Sequence, residues 1–401
     1  MPFTIPLPIS FIDSQKSFSE NKESFSLNGL IYKHFPEEGL YVLKYNKTKA
    51  DLNNAYIGMC RGLVICDKTN NVVCVPPRKS VGFPQFQHII QNNIISGQIT
   101  SCEEFIEGTN INVFYHNETW KLSTRSTVGA NTSYDSDQTF RELFFECLDF
   151  SLDNLDKQFC YNFVFQHPDN RQIIPITEKK VYLVGAYKIE ENQIQEFTSQ
   201  YIQGHLRESC AISVSIPKTF NYDNSLNEIA DIARNLAYTE HGIMFTTGQL
   251  RTKVLSDRYM FIHALKGNTN RDNLMERYLV VMKNKMVKQY LIHFPEVKDQ
   301  FHEYTRIVNE IIDNLHHYYY QCFIEKTIKH SEMPFVYKPL AFQIHKHFLE
   351  HKKKTTRKIV DEYIKSRDVQ QLLFIINNME RQSKGEAEAE PETLAEAVSE
   401  Q

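Results

Sequence analysis

Residues 102–124 read CEEFIEGTNINVFYHNETWKLST, and this stretch decides how the larger part of the chain folds. Thr109 to Tyr115 is β-branched and aromatic, which predicts a strand; His116 to Thr119 predicts a turn, and Trp120 to Thr124 the returning strand. Gly108, just ahead of the first strand, permits close backbone approach. Working outward, Gly62–Cys66 and Val72–Val75 predict a second hairpin around Thr69, Asn70 and Asn71. More strands are expected around Tyr161–Gln166, Val181–Tyr187, His241–Thr246 and Leu250–Val254, with Thr247 and Gly248 turning the last pair. Residues 138–149 and 225–236 carry apolar residues at helical spacing. Strands with a few helices, not in strict alternation, predict an α+β body built on antiparallel sheets.

From about residue 271 strand patterns give way to long helical periodicity, as in Leu274–Phe294 and Val297–Phe323, punctuated by Pro295, Pro334 and Pro339. The expected organisation is a polar, poorly ordered lead-in over 1–25, a mixed body over 26–270, an all-helical domain over 271–384 and an acidic tail over 385–401. That tail holds repeated Glu and no Lys or Arg, the composition of a disordered segment. Without it, the net charge of −4 moves close to neutral, and the C-terminal third is rich in Lys, Arg and His. No apolar run approaches a membrane span, and the N-terminus, with prolines and no basic region, does not read as a secretory signal. None of the eight cysteines forms a CxxC pair, so a zinc site is not expected, and an intracellular, reducing, cytoplasmic setting fits best.

Several segments, taken in order, resemble the phage-type RNA ligase 1 family of ATP-dependent ligases that repair broken RNA. The segments are Cys60-Arg61-Gly62, Pro77-Arg78-Lys79 leading to Phe83, Phe105-Ile106-Glu107-Gly108, Leu122 to Arg125, Asn162-Phe163-Val164-Phe165 with Pro168 to Arg171, Glu240-His241-Gly242, and Lys253-Val254-Leu255-Ser256-Asp257. The resemblance spans about residues 40 to 265. It continues more faintly in the helical part, at Phe294-Pro295-Glu296 and residues 363–377. It implies a nucleotidyltransferase body, ATP-grasp-like, with a helical domain that helps recognise RNA. The ligase-like proteins of large cytoplasmic DNA viruses are the most similar in character, which would place such a protein in a viral factory or virion.

The chemistry of that family begins with a lysine amine attacking the α-phosphate of ATP, which needs a deprotonated amine. At the matching position stands Phe105, whose ring has no lone pair. The family's two carboxylates match Val164 and His241, and the second of its paired lysines matches Leu255. Mg²⁺ prefers oxygen ligands, which neither Val164 nor His241 supplies. Gln166 should share the strand face of Val164, while Glu240 should face away unless a bulge returns it. The phosphate-facing candidates that remain are Arg61, Lys79, Glu107, Gly108, Arg125 and Lys253; each basic one could equally be a solvated surface residue. No metal site is expected, and ATP with Mg²⁺ would be cofactors only if ligation survives.

In the helical part, Lys352, Lys353, Lys354, Arg357 and Lys358 lie in a dense cationic stretch, and His316, His317, Tyr318, Tyr319 and Tyr320 lie upstream. Such a mixture could neutralise RNA phosphates and stack bases, although a charge run is usually a solvated face. The expectation is an RNA-ligase-like protein that binds RNA or nucleotide but is degenerate for lysyl-adenylate chemistry. Two alternatives stand beside it: an active ligase with a displaced nucleophile, Lys121 ahead of Lys253, or a structural, virion-associated protein that binds no nucleotide.

Overall fold

Alternation along β7 (Thr109–His116) organises the body, because its two faces meet different partners. The computed structural model describes residues 3–6, 12, 16–52, 54–92, 99–134, 136–190, 193–221, 226–236, 240–247, 250–267 and 273–383. Ile111 and Val113 face one core, with Tyr161, Phe163 and Leu183, closed by Leu143 and Phe144 of one helix and Ile202 and Leu206 of another. Phe114 faces the opposite core, among Phe25, Tyr41, Leu43, Leu63 and Ile65. Fully burying an aromatic or aliphatic side chain of this size contributes roughly 1.5–3 kcal/mol.

The strands form three antiparallel sheets. A four-stranded sheet runs β2 (Leu30–Phe35), β3 (Leu40–Tyr45), β4 (Arg61–Cys66), β5 (Val72–Cys74). A six-stranded sheet runs β1 (Phe3–Pro6), β11 (Gln193–Phe197), β10 (Lys180–Glu190), β9 (Phe159–Gln166), β7, β8 (Thr119–Ser123). A three-stranded sheet runs β13 (Arg251–Leu255), β12 (Gly242–Thr247), β6 (Ile99–Glu104). The small sheet has its own core, where Phe86, Leu226, Ile229 and Ala233 pack on Ile243, Phe245 and Val254. Gly248, expected in the turn between β12 and β13, lies outside the described residues.

The polar lead-in expected over 1–25 is structured where it is described. Phe3–Pro6 is an edge strand paired with β11, and Phe18–Leu27 is a helix whose N-terminus Ser17 and Glu20 cap reciprocally. Phe25 is fully buried there and the Phe18 ring packs on Tyr41 at 4.6 Å, so two aromatics among polar neighbours anchor the segment. Trp120, on the returning strand β8, is half-buried against the core that holds Tyr161 and Phe163.

The chain divides into two compact units, Met1–His263 and Ala264–Gln401. The second is helical, with helices Leu274–Lys283, Val287–His293, Lys298–Tyr319, Lys338–His351, Arg357–Ser366 and Val369–Ser383. Tyr278, Tyr290 and Phe301 form an aromatic cluster in it, the last two stacked at 4.9 Å. Ile311, Ile312, Leu315 and Tyr319 are buried along the longest helix, which ends in a π-helical turn, Tyr320–Glu325. The acidic tail lies outside the described residues. No helix among the described residues is long and apolar enough to cross a membrane.

Candidate nucleotide cleft

Two close backbone crossings shape the cleft. Gly108 sits at φ +149°, and a Cβ there would lie 2.4 Å from the Phe165 carbonyl oxygen and 2.8 Å from Val164 Cγ1, so only glycine lets the loop cross β9. Gly62 sits at φ +111°, where a Cβ would lie 2.8 Å from Arg125 Cα. The stretch after β5 runs beside β13: the Val81 N–H donates to the Arg251 carbonyl at 2.9 Å, and Thr252 Oγ1 donates to the Val81 carbonyl at 2.8 Å. That pairing joins Lys79 and β13 around one cavity of about 520 Å³.

Five of the six binding candidates, Arg61, Lys79, Glu107, Gly108 and Lys253, line this cavity. Arg125 does not. It follows the end of β8 in an exposed turn, its guanidinium 5.4 Å from the Tyr45 ring centroid, instead of lying on a cleft-facing strand as expected. Glu107 reaches the cavity wall but is spent on structure, accepting from the Ile174 N–H at 3.1 Å and the Tyr259 hydroxyl at 3.3 Å.

Arg251 lines the same cavity and is not among the candidates named from the sequence. The signal was the period of two: Thr252 and Val254 are buried on one face of β13, which turns Arg251 and Lys253 to the other. The Arg251 Nε donates to Ser80 Oγ at 3.3 Å. Burial is the main cause that lowers the Arg251 guanidinium to about 10. Burial, then the neighbouring Arg61 and Arg251, also lowers Lys253. Desolvation lowers Arg61 as well. Behind them the buried Arg78 is ion-paired with Glu196, which also accepts from the Tyr187 hydroxyl at 3.2 Å.

The four substituted motif positions separate into two groups. Phe105 and Val164 line the cavity; His241 and Leu255 do not. The Phe105 ring lies beneath Lys253, whose Nζ is 4.5 Å from the ring centroid, and edge-on to Tyr259 at 6.0 Å. His241 packs against Tyr259 at 5.5 Å, and burial lowers its pKa. Glu240 is not returned to the cleft; it pairs with Lys218 at 2.6 Å. The Gln166 amide donates to the Glu107 carbonyl at 2.8 Å, holding the loop in place of a ligand. Lys121, the first candidate for a displaced nucleophile, is outside the cavity and pairs with Glu38 at 2.6 Å.

In the second unit, Lys352, Lys353 and Lys354 are exposed in the connection between two helices. Arg357 pairs with Asp313 at 2.5 Å, and Lys358 lies 4.0 Å from Glu362. Tyr319, expected among the base-stacking aromatics, is fully buried and accepts from the Thr355 hydroxyl at 3.2 Å, so it is core.

Three antiparallel sheets with a cation-lined cleft make an α+β body, and a helical unit follows it in the chain. In sequence the chain is similar to viral proteins named as RNA ligases. It is 32% identical over 100 residues to an RNA ligase of Rhodothermus phage RM378, covering 22% of this chain and 23% of that protein. It is 25% identical over 296 residues to a protein of Autographa californica nuclear polyhedrosis virus named provisionally as a bifunctional polynucleotide kinase/RNA ligase, covering 68% of this chain and 40% of the relative. The matches thus span less than half the length of either relative. An archaeal ATP-dependent RNA ligase structure aligns with 72% of this chain and 74% of its own, at 15% identity and a TM-score of 0.43. No family model matches the chain.

Proposed function

We propose that this RNA-ligase-like protein binds nucleotide and RNA but does not form a lysyl-adenylate. One observation carries the reading: Phe105, which has no nucleophilic atom, occupies the wall of a cleft that is open and lined by Arg61, Lys79, Arg251 and Lys253. Loss of a covalent nucleophile typically costs on the order of 10⁶ in rate, while phosphate-binding cations can outlast it. RNA contact through Lys352, Lys353 and Lys354 is part of the same proposal, supported by their exposure. The eight free cysteines suit a reducing, cytoplasmic setting. Incubation of the pure protein with α-labelled ATP and Mg²⁺, followed by denaturation, should leave no label on the chain. Label that disappears on mutating one lysine would refute the proposal.

A second reading is favoured by one geometric detail. The Lys253 amine lies 4.5 Å from the Phe105 ring centroid, close to the position from which a lysine at 105 would act, and burial lowers its pKa as a nucleophilic amine requires. Under that reading the label would appear and Lys253→Gln would abolish it, with nick sealing on 5′-phosphorylated RNA lost in step.

A further inference from the structure

The fold family uses a divalent cation to neutralise the triphosphate, and the donor set of this cleft does not fit one. Val164 has no ligand atom, and His241, a nitrogen donor, stands outside the cavity. The acidic residues that line the cavity are committed elsewhere. Glu103 accepts from the Ser199 hydroxyl, and burial raises its pKa. Glu107 clamps Ile174 and Tyr259, and Glu196 holds Arg78 and Tyr187. Burial also raises the pKa of Glu104, whose neighbours are Lys218 and Glu240. Among the described residues no group of three or more His, Cys, Asp or Glu is placed to hold a metal ion.

The cations of the same cavity do fit an anion. Arg251 and Lys253 share one face of β13, Arg61 heads β4, and Lys79 follows β5. Repulsion from Arg61 adds to burial, the main cause, in lowering the pKa of Arg251 and Lys253. An anion relieves that repulsion, and guanidinium groups bind phosphate oxygens by paired, charge-assisted hydrogen bonds. We infer that the cleft takes a nucleoside polyphosphate as the bare anion, with Arg61, Lys79, Arg251 and Lys253 doing the charge neutralisation that a divalent cation does elsewhere. This rests on the nucleotide-binding proposal and goes one step past it.

Calorimetric titration of the full chain with ATP, and separately with inorganic tripolyphosphate, once in EDTA and once in excess Mg²⁺, tests the inference. Both ligands should bind in EDTA, and Mg²⁺ should leave the affinity unchanged or weaken it by competing for the phosphates. Lys253→Gln and Lys79→Gln should each weaken binding in EDTA about tenfold, the equivalent of one charge-assisted contact. Both side chains reach solvent, so these variants should fold, and unchanged unfolding midpoints would establish that. ATP binding that strengthens more than about tenfold on adding Mg²⁺ would overturn the bare-anion inference and leave nucleotide binding standing. Metal-free binding untouched by both substitutions would overturn the role of the cations. No ATP binding in either buffer would overturn both proposals.

Discussion

Two groups of cations in this chain differ in how they are held. Those of the cleft sit in a web of backbone and side-chain contacts: Arg251 against Ser80, Lys253 over Phe105, and Arg78 buried against Glu196. Those at 352–354 stand exposed in a connection between helices. The difference teaches that equal charge can serve unequal purposes. A desolvated cation is worth more to a ligand but depends on the fold around it; an exposed one contributes mainly long-range, salt-screened attraction.

Substitutions at the buried supports of the cleft should therefore cost stability, while those in the exposed run should not. The largest expected effect is at Gly108→Ala, where a left-handed φ and a contact with the Phe165 carbonyl combine; strain and overpacking together predict a loss of about 4 kcal/mol in urea unfolding. Next is Arg78→Gln, which strands Glu196 without its buried partner and should cost about 3 kcal/mol by the same measurement. A null result at either site would mean that the cleft is as tolerant as the surface. In contrast, changing Lys352, Lys353 and Lys354 together to Gln should alter stability by less than about 0.5 kcal/mol. It should make the plot of log affinity for single-stranded RNA against log salt shallower by about 2. An unchanged slope would remove these lysines from the RNA proposal.

The smallest effect concerns pH. Burial lowers the pKa of His241 below the ordinary histidine value of 6.5. Below that value the unfolded chain takes up a proton that the folded chain resists, so stability is present above it and declines as pH falls through the folded value. Thermal unfolding between pH 7.5 and 5 should show this decline, and His241→Gln should flatten part of it. Burial also lowers the pKa of His116, which would keep the remainder of the slope.

Much of the fold was legible because hairpins and helices are local: 109–124 and 61–74 each hold two strand-forming runs with a short turn between them, and each hairpin forms where expected. The strand at Phe3–Pro6 and the helix at Phe18–Leu27 were not, because the first is defined by its pairing with β11 and the second by what Phe25 meets. The site was legible in part for the same reason. Lys79 and Lys253 are legible from motif order, whereas Arg251, two residues before Lys253, belongs to none of the motifs, although the alternation that puts both on one face of the strand is present. Glu107 was seen as a ligand, but its carboxylate accepts from Ile174 and Tyr259, far along the chain.

The sequence alone determined which atoms are available: a phenyl ring at 105 and an isopropyl group at 164 have no lone pair in any conformation. Tertiary structure alone decided which of the surviving charges share a cavity, because that depends on crossings such as Gly108 over Phe165 and Val81 beside Thr252. Chemical identity is carried residue by residue, while proximity arises only when distant segments pack and shut water out.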